Sequence, residues 1–227
     1  MKSISLWDLP TRLFHWLLVL AVTGSLVTVS LGGTWMLWHE RFGLTIVGLI
    51  SFRLVWGIVG STYARFLQFV PGPSAISAYL KGEWQGVGHN PLGALSVLAM
   101  LGLLGFQAVT GLFASDAIAF NGPLYRAVSS EWSDTITSWH KLTEWVIYGL
   151  IALHIASVLF YTLVKKDNLI APMVSGRKDV SGIQNKERAG GGLVAFIFAV
   201  AVAAFAIWVA SGGLLPPPPP PPPDLGW

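Results

Sequence analysis

Five apolar stretches dominate this chain, and each is near the ~20 residues that a helix needs to cross a membrane. They cover residues 13–31, 42–60, 91–113, 138–164 and 193–215. Charged residues make up only 11% of the chain, against about 25% in a typical soluble domain. The pattern predicts an all-α integral membrane protein in contact with lipid. The first stretch is too long for a cleavable signal peptide and lacks a small-residue cleavage site, so we expect it to remain as a helix.

The distribution of lysine and arginine predicts the orientation of these helices. With the N-terminus in the cytoplasm, most of the basic residues lie on the inner side: Lys2, Arg12, Arg65, Lys81, Lys165, Lys166, Arg177, Lys178, Lys186 and Arg188. Three lie on the outer side: Arg41, Arg126 and Lys141. The bias predicts a multi-pass membrane protein with a cytoplasmic N-terminus and, after five spans, a C-terminus on the outer side.

The fourth apolar stretch carries two histidines, His140 and His154, fourteen residues apart. In an α-helix this spacing corresponds to about 21 Å and nearly four full turns, so both imidazoles lie on one face at two depths. Ionisable residues at membrane depth are costly and indicate a functional role. Two ring nitrogens at two depths favour two stacked cofactors, for which bis-histidine haem is the leading candidate.

Two further histidines match these depths in the predicted topology. His39 precedes the second stretch on the outer side with His140, and His15 lies near the inner end of the first stretch, at the level of His154. Each pair comes from two helices, as a haem held inside a four-helix bundle requires. A histidine at a helix end is also often a plain interfacial polar group. His140 and His154 are therefore the stronger ligand candidates.

Two other polar residues belong to the candidate site. Arg53 lies fourteen residues beyond His39, so it shares that helix face at the inner depth. It could pair with a haem propionate or raise the potential of the inner haem, or it could simply extend to the inner interface. His89 precedes Asn90-Pro91, which predicts the N-cap and first residue of the third helix. His89 itself could be a capping or loop residue, a propionate partner or part of a quinone site, and capping is the most common of these roles.

Composition excludes several function classes. There is no cysteine, so disulfides, thiolate iron–sulfur clusters and covalently attached haem are excluded. The net charge of +3 comes from basic residues spread over loops, which predicts membrane orientation and no nucleic-acid partner.

Several segments, in order, resemble the bacterial cytochrome b561 family, which includes the b-type cytochrome subunits of nickel–iron hydrogenases and formate dehydrogenases. They are WDLPTRLFHWLL, HERFGLTIVGLISFRLVWGIVGSTYARF, GHNPLGALSVLAMLGLLGFQAVTGLFASD and WHKLTEWVIYGLIALHIASVLFY, and the likeness extends over about residues 5–178. The resemblance implies a four-helix core with two b haems. Its ligand set would fall on His15, His39, His140 and His154, with the inner pair less fixed than the outer.

The function implied is transmembrane electron transfer between a periplasmic-side redox partner and the quinone pool of a respiratory chain. The partner would be a hydrogenase, a dehydrogenase or a cytochrome c, and the chain would be an electron-transfer subunit more than an enzyme on its own. Two alternatives remain open at this point. One is a stand-alone membrane oxidoreductase linked to quinone or superoxide, and the other is a haem-free helical membrane protein that uses histidines for protons.

The chain departs from the family after about residue 178. We expect a dihaem domain over residues 1–178, a polar linker over 179–192, an additional spanning helix over 193–215 and a polyproline tail over 216–227. The additional helix has no ionisable residue and is rich in alanine, which suits packing against another helix or within a larger complex. The tail is a stiff spacer or, alternatively, a docking segment for a periplasmic partner.

Overall fold

Five long helices form the body of the protein in a computed structural model that describes residues 2–180 and 189–217. Residues 181–188 of the predicted linker over 179–192, and residues 218–227 of the predicted tail over 216–227, lie outside the described residues. The five helices that are long and apolar enough to cross a membrane are α1 (Leu9–Leu31), α2 (Met36–Val59), α5 (Pro91–Phe113), α6 (Ser130–Leu163) and α8 (Leu193–Ala210). The predicted all-α, five-span membrane architecture is confirmed.

Shorter elements lie between the long helices. They are α3 (Phe66–Phe69), α4 (Pro73–Leu80), α7 (Ile170–Ser175) and two 3₁₀ turns, Gly33–Trp35 and Tyr125–Ala127. Two strands, β1 (Lys2–Ser5) and β2 (Arg177–Val180), pair antiparallel with Lys2 opposite Val180. The sequence did not predict this ribbon, which ties the N-terminus to the segment after α6. Both partners therefore lie at the same end of the bundle.

Helices α2 and α6 begin earlier than the apolar stretches predict. Helix α2 starts at Met36, six residues before the predicted start, and α6 starts at Ser130, eight residues before it. Ser129 caps α6 by accepting a hydrogen bond from the backbone of Trp132. The hydropathy pattern ends at the membrane interface, whereas the backbone hydrogen-bond ladder continues into it. His39 therefore lies inside α2 and not before it.

The end of the bundle that carries the N-terminus is closed around Asp8. Its carboxylate caps α1 through the backbone N–H of Thr11 (2.7 Å) and also accepts hydrogen bonds from Trp56 Nε1 (3.0 Å) and from the Ser61 hydroxyl. Trp56 is fully buried. Three polar groups thus satisfy one buried carboxylate, which fixes the start of α1 against the end of α2.

Helix α8 packs on α2, outside the four-helix set of α1, α2, α5 and α6. A Cβ atom at Gly48 of α2 would lie 2.5 Å from Ile207 Cδ1 of α8. Gly48 therefore allows α8 to approach α2 closely. Helix α8 ends at Ala210, five residues before the predicted end, because Gly212 adopts a positive φ of 88° in the turn that follows.

Candidate functional site

The rings of His39 and His140 face each other near the end of the bundle that carries the α1–α2 and α5–α6 connections. Their ring centroids lie 6.3 Å apart with an interplanar angle of 85°. Two imidazoles that bind one metal from opposite sides have ring centroids on the order of 6 Å apart, because each metal–nitrogen bond is about 2 Å long. The separation between the two rings therefore fits a shared iron.

Hydrogen bonds from neighbouring helices set the tautomers of both rings. His39 Nδ1 lies 3.0 Å from the carbonyl oxygen of Ser25 on α1, and His140 Nδ1 lies 3.0 Å from the carbonyl oxygen of Gln107 on α5. A carbonyl oxygen only accepts, so Nδ1 carries the proton in both rings and Nε2 is left with a lone pair. This is the usual arrangement of a metal-binding histidine, whose other nitrogen donates to an outer partner.

Polar side chains on α5 and α6 hold His140 further. The Gln107 amide donates to the backbone carbonyl of His140 (3.0 Å) and lies 3.4 Å from His140 Nε2. The Thr143 hydroxyl donates to the Gln107 side-chain oxygen, and Thr110 Oγ1 lies 3.1 Å from His140 Nδ1. A Cβ atom at Gly111 would meet the His140 ring at 2.9 Å. Helix α5 therefore positions this ring without supplying a ligand.

These positioning residues were not predicted from the sequence. Gln107 and Thr110 are two polar residues one turn apart in the mostly apolar α5. That spacing places them on one face of the helix. This spacing of Gln107 and Thr110 could therefore have indicated a helix face that contacts a polar group.

The second histidine pair, His15 and His154, lies nearer the end of the bundle at which α1 begins and α6 ends. His15 of α1 interacts electrostatically with His154 of α6, so the two helices bring these residues near each other. The Nδ1 atom of His15 is buried and has no hydrogen-bond partner among the described residues. His15 also packs edge-on against Trp16, with ring centroids 4.9 Å apart. Among the described residues, His15 thus lacks the carbonyl partner that His39 and His140 each have.

A small, shallow apolar cleft between α5 and α6 lies at the level between His140 and His154 of α6. It is lined by Met100, Leu103, Leu104, Ile147, Leu150 and Ile151. The lining side chains of α6 lie between His140 and His154 in sequence. The wall between the two histidine levels is therefore free of polar groups at this cleft.

Arg53 is buried, with 3% of its surface exposed. Its guanidinium carbon lies 4.7 Å from the ring centroid of Phe66 and 5.9 Å from that of Phe69. The guanidinium is therefore covered by aromatic rings of the segment that follows α2 and is not exposed to solvent.

His89 does not cap α5. Asn90 is the N-cap, and its side chain accepts from the backbone N–H of Gly93 at 2.7 Å. The His89 ring instead packs between Trp7 and Phe69, with ring centroids 4.6 Å and 4.7 Å away. Burial, followed by the charge of Arg53, lowers the pKa of His89 to about 4. His89 is therefore neutral at pH 7, and the capping interpretation is wrong.

Among the described residues, no group of three or more His, Asp or Glu side chains could hold a metal ion. A bis-histidine haem needs two protein ligands, so the paired histidines suit haem and not a metal ion bound by protein alone. The fold and the site together define a helical membrane protein whose bundle brings histidines together in pairs.

Comparison with known proteins assigns the family. A sequence profile of the prokaryotic cytochrome b561 family matches residues 6–176, which is most of the chain and ends before α8. The chain belongs to the prokaryotic cytochrome b561 family. It is a membrane-spanning b-type cytochrome of electron transport, and the predicted family is confirmed.

Curated relatives are similar over most of their length. The "Probable Ni/Fe-hydrogenase 1 B-type cytochrome subunit" of Escherichia coli (strain K12) is 26% identical, over 80% of this chain and 94% of the relative. The "Probable Ni/Fe-hydrogenase B-type cytochrome subunit" of Rhizobium leguminosarum bv. viciae is 26% identical over 78% and 89% of the two chains, and that of Azotobacter vinelandii is 27% identical over 77% and 88%. No solved structure matches the chain.

Proposed function

We propose that this cytochrome carries electrons across the bacterial inner membrane through two b haems. His39 and His140 hold the outer haem, and His15 and His154 hold the inner haem. The observation that carries the proposal is the 6.3 Å separation of the His39 and His140 rings, with each Nδ1 proton donated to a backbone carbonyl and each Nε2 left with a lone pair that can bind iron. The haems supply the redox chemistry when bound, and the chain supplies axial ligands, spacing and an apolar surrounding.

The redox partner that we propose on the outer side is a nickel–iron hydrogenase, because the curated relatives carry that name. A dehydrogenase or a periplasmic cytochrome c would use the same outer haem. Quinone is the partner that we propose near the inner haem, where Arg12, Arg65 and His89 bring hydrogen-bonding groups to one end of the bundle. The chain is then a subunit of a respiratory oxidoreductase.

The topology that we propose places the N-terminus in the cytoplasm and the end of α8 in the periplasm. The absence of cysteine makes single-cysteine labelling straightforward. Ala119→Cys in the α5–α6 loop and Ser74→Cys in α4 are both at exposed positions. In intact spheroplasts, a membrane-impermeant maleimide should label Ala119→Cys and not Ser74→Cys, and the opposite pattern would reverse the orientation.

A reduction experiment tests the electron path. Purified protein in proteoliposomes is mixed with a nickel–iron hydrogenase and hydrogen, and the haem α-band is recorded before and after a quinone analogue is added. We expect reduction by hydrogen followed by reoxidation by the quinone. His140→Ala should abolish reduction, whereas Lys141→Ala, an exposed neighbour on the same helix, should behave as wild type.

Other outcomes of the same experiment would contradict the proposal. Haem that superoxide reduces at the outer side, with no response to hydrogenase, would indicate a stand-alone oxidoreductase. Purified protein that has no α-band would indicate a haem-free membrane protein. Unaltered electron transfer in His140→Ala would remove His140 from the ligand set.

A further inference from the structure

Arg53 presents a buried charge that the surrounding chain does not pair. Its Nη1 atom is buried and has no hydrogen-bond partner among the described residues. The side chain lies against Phe66 and Phe69 of α3. Gly57, one turn further along α2, lets Phe66 approach this closely, because a Cβ atom at Gly57 would overlap the Phe66 ring. A cation held on aromatic rings in an apolar setting still needs an anion for full compensation.

The carboxylate that interacts with Arg53 electrostatically is Asp8, but Asp8 is engaged elsewhere. One of its oxygens accepts from the backbone of Thr11, and the other accepts from Trp56 and Ser61. The ion pair found among the described residues is Lys178 with Asp167, at a different place. Asp8 therefore offsets part of the charge of Arg53 from a distance, and Arg53 Nη1 has no hydrogen-bond partner among the described residues.

His89 supplies a second unpaired donor beside Arg53. Both side chains contact Phe69, and the charge of Arg53 acts on His89 directly. The Nδ1 atom of His89 is buried and has no hydrogen-bond partner among the described residues. A neutral imidazole with a proton on Nδ1 would be a donor next to the guanidinium. The two residues thus form one buried, donor-rich patch, which we call the Arg53–His89 patch.

The depth of this patch matches the inner histidine pair. Arg53 lies six residues before the end of α2 at Val59, and His15 lies six residues after the start of α1 at Leu9. Both positions are therefore about 9 Å along their helices from the same end of the bundle. A group bound near His15 could therefore place its polar edge at about the same depth in the bundle as Arg53.

We propose that the Arg53–His89 patch binds a carboxylate, and that this carboxylate is a propionate of the inner haem. Arg53 supplies the charge through a planar fork of donors that matches a carboxylate, and His89 donates a neutral hydrogen bond from Nδ1. This inference rests on the proposed function, because it requires haem at the inner pair. The role of His89 is then to bind a propionate, and not to ligate iron.

The test compares variants of the two donors by potentiometric titration and by the propionate bending bands in resonance Raman spectra. The inner haem is identified as the one that His154→Ala loses. Arg53→Met should lower the potential of the inner haem alone and shift its propionate band, because a nearby cation stabilises the reduced state. Arg41→Met is the matched control, since Arg41 also lies 4.7 Å over an aromatic ring, that of Trp38, on the same helix, and it should change neither quantity.

Variants of His89 separate hydrogen bonding from packing. His89→Phe keeps an aromatic ring between Trp7 and Phe69 but removes the donor, so it should shift the propionate band of the inner haem. His89→Asn retains an N–H close to the position of Nδ1 and should leave the band near its wild-type position. Equal spectra for wild type and His89→Phe would overturn the part of the proposal that concerns His89.

A second variant of Arg53 covers the case in which Arg53→Met does not accumulate. Arg53→Lys keeps the charge but loses the fork, so it should hold the potential of the inner haem near the wild-type value and still shift the propionate band. An unchanged band in Arg53→Lys, or an unchanged potential in Arg53→Met, would overturn the proposal.

A last comparison distinguishes the propionate from a lipid headgroup or free phosphate. Protein loaded with iron protoporphyrin dimethyl ester has no free propionate, so Arg53→Met should then leave the potential unaltered. The propionate assignment would be overturned if Arg53→Met still shifted the potential in the ester-loaded protein. In that case, a shift that depends on added phosphate would indicate free phosphate, and one that depends on replacing phosphatidylcholine with phosphatidylglycerol vesicles would indicate a lipid headgroup. Wild-type protein without haem would contradict the proposed function itself, whereas two haems with no effect of Arg53→Met would contradict this inference alone.

Discussion

His39 and His140 lie with their ring centroids 6.3 Å apart, and each ring is held by the backbone of a different neighbouring helix. Ser25 of α1 holds His39 of α2, and Gln107 of α5 holds His140 of α6. All four helices of the bundle therefore meet at one point. The two rings are fixed by the fold and not by each other, which is the preorganisation that a cofactor site requires.

Loss of the Gln107 side chain should weaken the outer haem selectively. In Gln107→Leu, the amide bond to the His140 carbonyl and the acceptor for Thr143 are both removed. Outer partners of metal ligands typically contribute about 10–100-fold in affinity. We expect loss of the outer haem to an excess of apomyoglobin to become faster by about this factor.

The inner haem serves as the internal control for Gln107→Leu, because His140 is the one proposed ligand that Gln107 contacts among the described residues. Equal rates of haem loss in wild type and variant would show that the ring is positioned by backbone contacts alone.

Asp8→Ala should destabilise the inner end of the bundle. The substitution removes the N-cap of α1 and leaves Trp56 Nε1 and the Ser61 hydroxyl buried without their acceptor. The loss of a cap costs about 1 kcal/mol, and each buried donor left unpaired adds about 1–3 kcal/mol. Thermal unfolding in detergent should show a clear decrease in Tm.

The matched control for Asp8→Ala is Asp116→Ala. Asp116 also accepts backbone hydrogen bonds, from Ile118, Ala119 and Phe120, but it lies in an exposed loop. Its removal should change Tm much less than removal of Asp8. A comparable decrease in both variants would contradict the structural role assigned to the buried carboxylate.

The stability of the inner end should fall with pH below neutrality because of His89. Its pKa is about 4 in the folded protein, against about 6.5 in an unfolded chain. Between these values the unfolded chain binds more protons, so His89 favours folding fully above pH 6.5 and progressively less as the pH falls towards 4. Wild type should therefore lose more Tm between pH 7.5 and pH 5 than His89→Asn. If the Tm of wild type and of His89→Asn fell by the same amount over this pH range, His89 would not be the cause of the loss of stability.

Gly48→Leu should loosen the contact between α2 and α8. A side chain at Gly48 would overlap Ile207 of α8, and overpacking of this kind typically costs about 1–3 kcal/mol. Gly102→Leu on α5 is the control, because a Cβ atom there would meet no atom within 4 Å. Thermal unfolding should separate the two variants, and an unchanged Tm in Gly48→Leu would mean that α8 is not held through this glycine.

The sequence predicted the helices and the depths of the histidines because the rise of an α-helix is fixed. Fourteen residues between His140 and His154 determine a distance along α6 whatever surrounds it. The start of α6 was predicted too late, because apolar composition indicates the part of a helix that contacts lipid. The helical hydrogen bonds of α6 begin before that part.

The surroundings of Arg53 and His89 could not be predicted in the same way. The packing of His89 between Trp7 and Phe69 joins three segments that are far apart in sequence, and no local pattern encodes such a contact. The β1–β2 pairing is equally non-local. Local periodicity determines elements and depths, whereas the partners of a buried side chain depend on how the elements assemble.

The haem-to-protein ratio of the purified protein, measured with a redox titration of its visible spectrum, tests the central claim most directly. The account predicts about two haems per chain with low-spin bis-histidine spectra. His140→Ala should decrease the ratio to about one and remove a single component of the titration. A wild-type ratio near one would leave only one histidine pair as a haem site, and a ratio near zero would contradict the account altogether.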